Sequence, residues 1–110
     1  MKFKFKINEY TTLDDVQAEL DALRSANVKE IPLNHLRRII DFLGAIRVPA
    51  TGSSVRFSHP ILKKYPQYQG YFAVHKIHKG GDQEEIRKND YKKYLYPALI
   101  TIIEEKKLNK

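Results

Sequence analysis

Phe3, Phe5 and Ile7 alternate with Lys2, Lys4 and Lys6, the period-two pattern of a strand that buries one face. Its lysine-studded outer face suits the edge of a sheet. From Leu13 the period changes. Leu13, Val16, Leu20 and Leu23 recur at helical spacing, which predicts an amphipathic helix from Leu13 to about Ala26. Thr12 with Asp15 three residues later has the form of a capping box, and Asp14 and Asp15 suit the positive end of the helix dipole. Asn27 to Ile31 reads as a short loop. Pro32 then opens a second helix, because a first-turn residue needs no amide donor. Leu33, Leu36, Ile39, Ile40 and Leu43 form its apolar stripe, and Gly44 is its stop.

Beyond the helices the apolar positions alternate again. Ile46-Arg47-Val48, a turn through Pro49-Ala50-Thr51-Gly52, and Ser54 to His59 read as a hairpin. In its second strand Val55 and Phe57 share one face, with Arg56 and Ser58 on the other. Ile61 to Gly70 is expected to protrude as a loop. Tyr71 to His78 supplies a further strand, ended by Gly80-Gly81. A last helix lies within Lys88 to Lys107 and either kinks at Pro97 or starts afresh near Tyr96-Pro97, since proline disrupts a helix interior. The order β-α-α-β-β-β-α predicts an α+β fold, a small antiparallel sheet with helices packed on one face.

Composition narrows the function classes. A chain of 110 residues is most simply one domain. It has no cysteine, which excludes disulfides and cysteine-based zinc sites. Its apolar runs are short and interrupted by charge, so no membrane span is expected. The alternating N-terminus is unlike a signal peptide, and a cytoplasmic protein is the expectation. The net charge of +7 is unevenly placed. Residues 1–45 carry seven bases and seven acids, and residues 46–110 carry thirteen bases and six acids. Such asymmetry is the electrostatic footprint of a nucleic-acid binder.

Three of the four histidines lie in that basic part. Cleaving RNA needs one group to take the ribose 2′-hydroxyl proton, another to protonate the leaving oxygen, and a cation on the phosphate. His75 and His78, with Lys76 and Lys79 beside them, are the catalytic candidates. Residues three apart on a strand point to opposite faces. Both imidazoles therefore line one site only if the strand bends; otherwise one of them is an orienting or structural group. The same geometry leaves His75-x-x-His78 short of a zinc site, and no cofactor or metal is expected. Arg56, Lys63, Lys64, Lys76 and Lys79 are candidate phosphate contacts, with a merely solvated basic face as the alternative. Tyr65, Tyr68 and Tyr71 are candidate platforms for unpaired bases, with pinning of the loop to the domain as the alternative. His59, before Pro60, reads as a partly buried cap of the hairpin, with a role in binding as the alternative. Ser53 and Ser54 read as turn residues, and His35 is assigned no function.

From Pro32 onward the order is helix, three short strands, helix, with Gly52-Ser53 opening the second strand. This resembles the HicA family of toxin–antitoxin ribonucleases, small basic proteins with a fold like the double-stranded RNA-binding domain. Leu36-Arg37-Arg38-Ile39-Ile40-Asp41-Phe42-Leu43-Gly44 matches the first helix of that family. Gly52-Ser53 with Arg56-Phe57-Ser58-His59-Pro60 matches its signature strand, Val74-His75-Lys76 its third strand, and Tyr91 to Glu105 its closing helix. The match divides the chain into an N-terminal β-α extension over residues 1–31 and a HicA-like core over residues 32–110. It implies an RNA-binding toxin, a metal-independent endoribonuclease acting on mRNA, and a cognate antitoxin protein as partner. Two departures qualify it. Family members place a catalytic histidine just after the Gly-Ser pair, where this chain has Ser54-Val55, so the chemistry rests on His75 or His78 or is absent. The compact members also lack the N-terminal strand and helix, which are an added cap or a segment that contacts a partner. A non-catalytic nucleic-acid-binding module using the same surface stays open, as does a protein-interaction domain whose charge is incidental.

Overall fold

Thr12 and Asp15 close both bonds of the capping box. The Asp15 amide donates to Thr12 Oγ1 at 3.1 Å and the Thr12 amide to Asp15 Oδ2 at 3.0 Å. Helix α1 (Leu13–Ser25) follows, burying Val16, Leu20 and Leu23. The computed structural model describes residues 3–78 and 83–109. Lys79 and the Gly80-Gly81 stop lie outside the described residues.

Strand β1 (Glu30–Pro32) leads into α2 (Leu33–Phe42), whose buried residues are Leu33, His35, Leu36, Ile39 and Ile40. Gly44, at a φ of +90°, ends α2 in a Schellman pattern. Its amide donates to Asp41 O at 3.0 Å and that of Ala45 to Ile40 O at 3.2 Å. Strands β2 (Ile46–Val48), β3 (Ser54–Ser58) and β4 (Tyr71–His75) then form an antiparallel sheet in that order. After Lys76 the chain enters a second antiparallel sheet, ordered β1, β6 (Glu84–Arg87), β5 (Ile77–His78). Ile31 and Ile86 pair across it, both fully buried. The C-terminal helix begins as one turn, α3 (Lys88–Asp90), widens into a π turn over Tyr91–Leu95, and continues as α4 (Tyr96–Leu108).

The fold is α+β. Val55, Phe57, Phe72 and Val74, from the inner face of the β2-β3-β4 sheet, join α1, α2 and α4 in one hydrophobic cluster. The Phe57 and Phe72 rings stack at 5.3 Å. Val16, Leu20 and Leu23 of α1 belong to the same cluster, so this helix shares the core of the rest of the fold. Long-range bonds fasten it to the C-terminal helix. Tyr91 donates its buried hydroxyl to Leu20 O at 2.6 Å, and Lys107 Nζ reaches Asp14 Oδ1 at 2.5 Å and Gln17 Oε1 at 2.8 Å. Arg24 lies 5.0 Å from the Tyr96 ring. His35, on α2, bonds Glu19 of α1 through Nε2 at 2.7 Å. Among the described residues no helix is long and apolar enough to cross a membrane.

Several local expectations change. Phe3, Phe5 and Ile7 are half-buried against the core while Lys4 and Lys6 are exposed, so the alternation holds, yet residues 3–8 form no strand. Burial of one face needs only an extended chain on an apolar surface, whereas a strand needs a backbone partner. The end of the expected Asn27 to Ile31 loop is strand β1, paired with β6. The Ile61 to Gly70 segment does not protrude. Pro60–Lys64 forms a 3₁₀ helix with Leu62 fully buried, and Tyr65 and Tyr68 pack half-buried against the core. The Tyr71 to His78 strand is interrupted at Lys76, whose amide turns to Ser53 O at 2.9 Å. At Pro97 a fresh helical segment does begin, with the π turn before it; the ring has no N–H to offer and would crowd the carbonyl four residues back in a regular helix.

Candidate nucleic-acid interface

Strand alternation places the candidate groups. With Val55, Phe57, Phe72 and Val74 turned into the core, Ser54, Arg56 and Ser58 of β3 and Tyr71, Ala73 and His75 of β4 take the opposite face. In the ladder Arg56 lies opposite Ala73, Ser58 opposite Tyr71 and Ser54 opposite His75. Ile46 and Val48 of β2 continue this face, opposite Ser58 and Arg56. Arg56, Tyr71, Ala73 and His75 are exposed, and Ile46 is 66% exposed. The result is a solvent-open surface with an apolar floor and cationic groups.

The Arg56 guanidinium lies 4.1 Å from the centre of the Tyr71 ring, which is itself 42% exposed. A guanidinium stacked on a ring keeps its edge donors available for phosphate. His75 is diagonal to Arg56 across the ladder, a separation of about 7 Å for such pairs. Its Nδ1 is 3.2 Å from Ser53 Oγ, a contact that orients the imidazole. Lys63 is exposed and runs past Gly70, close enough that a Cβ there would meet Lys63 Cγ at 3.2 Å. With Ile46, Ser58 and Tyr71 it lines a groove of about 350 Å³ at one end of the face. Arg56, Tyr71 and His75 thus share one face, with Lys63 at its Tyr71 end.

Other expected site residues are engaged elsewhere. Lys64 pairs with Glu105 of α4 at 2.5 Å, and the Tyr65 hydroxyl donates to the same carboxylate. These two partners hold the Glu105 carboxyl below the usual carboxylate range, Lys64 foremost, and the bond to Glu105 raises the Tyr65 phenol. Tyr68 sets its ring edge-on to Tyr65, 6.5 Å away. Tyr65 and Tyr68 therefore pin the Pro60–Gly70 segment to the core. Lys76 is bonded to Glu84, whose carboxyl it holds below the ordinary range. His78 belongs to the second sheet, opposite Glu84, with Nε2 3.6 Å from Glu84 Oε2. Among the described residues no hydrogen bond or ring contact joins it to His75, and the two imidazoles belong to different sheets. Lys79 lies outside the described residues. Among the described residues no group of three His, Cys, Asp or Glu side chains is placed to hold a metal.

His59 is a structural residue. It is buried, with Nε2 2.7 Å from Leu43 O and Nδ1 3.1 Å from the Ile61 amide. Because Nδ1 accepts, the neutral ring carries its proton on Nε2 and donates to Leu43 O. One imidazole thereby satisfies the end of α2 and the start of the 3₁₀ helix. Burial lowers its pKa, against the raising effect of the Leu43 bond, and Lys106 lowers it further.

One neighbour escaped sequence reasoning. Tyr94, on the π turn, is 43% exposed and lines a pocket of about 210 Å³ with Ser54, Ala73, Val74 and His75. The available signal was its place off the apolar stripe, between buried Tyr91 and Leu95; the contact with the sheet was not readable from spacing. No family model matches the chain, and no curated protein or solved structure matches it.

Proposed function

We propose that this protein is an RNA-targeting domain of the HicA-like kind, which holds single-stranded RNA across the open face of the β2-β3-β4 sheet. The observation that carries the reading is the convergence of Arg56, Tyr71 and His75 on one solvent-open face whose reverse side is hydrophobic core. Arg56 and Lys63 contact phosphate, and Tyr71 and the apolar floor accept unpaired bases, the recognition mode of single-strand binders. An acidic or RNA-mimicking antitoxin laid over the same face would silence it. The test is fluorescence anisotropy with labelled single-stranded RNA at several salt concentrations. Affinity that falls with salt and falls again in Arg56→Ala supports the reading; no affinity for any nucleic acid at low salt overturns it in favour of a protein-interaction domain.

A second reading, cleavage of the bound RNA, is favoured by one fact: His75 is exposed, oriented by Ser53 and diagonal to Arg56. Its imidazole takes the proton of the 2′-hydroxyl, the 2′ oxygen bonds to phosphorus, and the 5′ oxygen leaves with a proton returned by the imidazolium or by water. Arg56 stabilises the charge that develops on the phosphate. Expression in a bacterial host tests this version. Growth arrest and RNA loss that His75→Ala abolishes support it; their absence leaves the non-catalytic binding module.

A further inference from the structure

The open face continues beyond the sheet. The π turn packs against β4, and its three middle residues, Lys92, Lys93 and Tyr94, are all exposed while Tyr91 and Leu95 are buried on either side. Lys93 Nζ lies 5.3 Å from the Tyr94 ring, and that ring forms one wall of the pocket whose other walls are Ser54, Ala73, Val74 and His75. Short π segments inside α-helices are frequent at functional sites, and this one has a local cause in Pro97. The turn is also held from behind, by the Tyr91 hydroxyl on Leu20 O. Tyr94 therefore stands on a fixed backbone and not on a mobile loop.

We propose that the Tyr94–His75 pocket receives a single unpaired nucleobase, stacked on the Tyr94 ring, with Lys93 on the adjoining phosphate. The inference rests on the RNA-binding reading of the sheet and names a second platform for it. Three observations carry it. The pocket, about 210 Å³, is smaller than the roughly 300–1,000 Å³ typical of sites for drug-sized ligands, which suits one planar ring. Its walls are a phenol, an imidazole, a hydroxyl and small apolar groups, a surface for a base and not for a phosphate. One cation, Lys93, stands beside the Tyr94 ring, and no lysine or arginine lines the pocket, as a base-in, backbone-out geometry requires. Tyr71 and His75 are four residues apart on β4, about 13 Å at roughly 3.3 Å per residue. The two platforms therefore mark the ends of one track along the strand, which a splayed single strand can follow and a stacked duplex cannot.

The experiment is a double-mutant cycle between protein and RNA. A short single-stranded RNA and a set carrying one abasic position each are titrated against wild type, Tyr94→Ala, Tyr94→Phe and Arg56→Ala. Stacking on one aromatic ring corresponds to roughly a 5- to 150-fold change in affinity. Tyr94→Ala is expected to weaken binding within that range, and Tyr94→Phe to keep wild-type affinity within about 2-fold because it retains the ring face. One abasic position is expected to lose the same factor on wild type and nothing further on Tyr94→Ala. If Arg56→Ala weakens binding while Tyr94→Ala does not, or if no abasic position is absorbed by Tyr94→Ala, the pocket assignment is overturned and the sheet reading stands. If the wild type binds none of the RNAs, both are overturned. Lys93→Ala gives a check that does not depend on the ring: the slope of log affinity against log salt should fall by about 0.7 for one lost single-strand phosphate contact, and an unchanged slope counts against the rim assignment.

Discussion

Replacing His59 with leucine isolates one buried imidazole that closes two element ends at once. The side chain fills comparable space but leaves the Leu43 carbonyl, at the end of α2, and the Ile61 amide, at the start of the 3₁₀ helix, without the partners they have at 2.7 Å and 3.1 Å. Each buried backbone group left unsatisfied costs about 1–3 kcal/mol, so His59→Leu should lose about 3 kcal/mol. At roughly 4 °C per kcal/mol for a chain of this size, Tm should fall by roughly 12 °C. The pH dependence follows from the same geometry. Burial lowers the folded-state pKa of His59, so the unfolded chain takes up the proton first, near the ordinary value of about 6.5. The contribution is fully present above that value and is lost as pH falls below it toward the lowered folded value, where protonation removes the Nδ1 acceptor from Ile61. Thermal melts of wild type and His59→Leu at pH 7.5 measure the first effect, and urea unfolding of both between pH 7.5 and 5 measures the second. A variant melting within about 2 °C of wild type, or an acid-induced loss of equal size in both proteins, would refute the reasoning.

Three further substitutions test neighbouring claims. Gly44→Ala forces a side chain onto a φ of +90° and brings its Cβ to 3.4 Å from His59 Nε2; the left-handed backbone alone costs about 1–2 kcal/mol, readable as a lower urea midpoint at unchanged slope. Thr12→Ala removes the cap on the Asp15 amide and should cost about 1 kcal/mol by the same measurement. Tyr91→Phe deletes the bond to Leu20 O while keeping the ring, and should cost about 1 kcal/mol; a neutral result would mean that this bond adds nothing to the packing of the Tyr91 ring and the Lys107 contacts that also join α1 to the C-terminal helix.

Local signals were readable wherever a residue's role was set by its near neighbours. The Leu13-Val16-Leu20-Leu23 stripe, the Thr12–Asp15 box, the Gly44 stop and the β2–β3 hairpin all lie within a few residues of what determines them. Roles set by distant partners were not readable. Glu30-Ile31-Pro32 has too few residues for a period, and it is a strand because Ile86 lies opposite Ile31. Lys64 and Tyr65 look like nucleic-acid contacts in a basic aromatic run, yet Glu105, forty residues on, takes both. His75 and His78 differ by three positions and end up in different sheets because Lys76 breaks the ladder. On the open face, Arg56 and His75 follow from strand alternation, whereas Tyr94 reaches the same surface through a helix distortion that no spacing rule anticipates.

The bonds between the first and last helices span 71 to 93 positions of the chain. Until the C-terminal third has been made and docked, Val16, Leu20 and Leu23 have no finished surface to enter, so the N-terminal third cannot mature as an independent unit. Folding must wait on a late, long-range closure, which places this small protein toward the slower end for its size. Clipping α4 would therefore not trim a tail: it would release the beginning of the molecule.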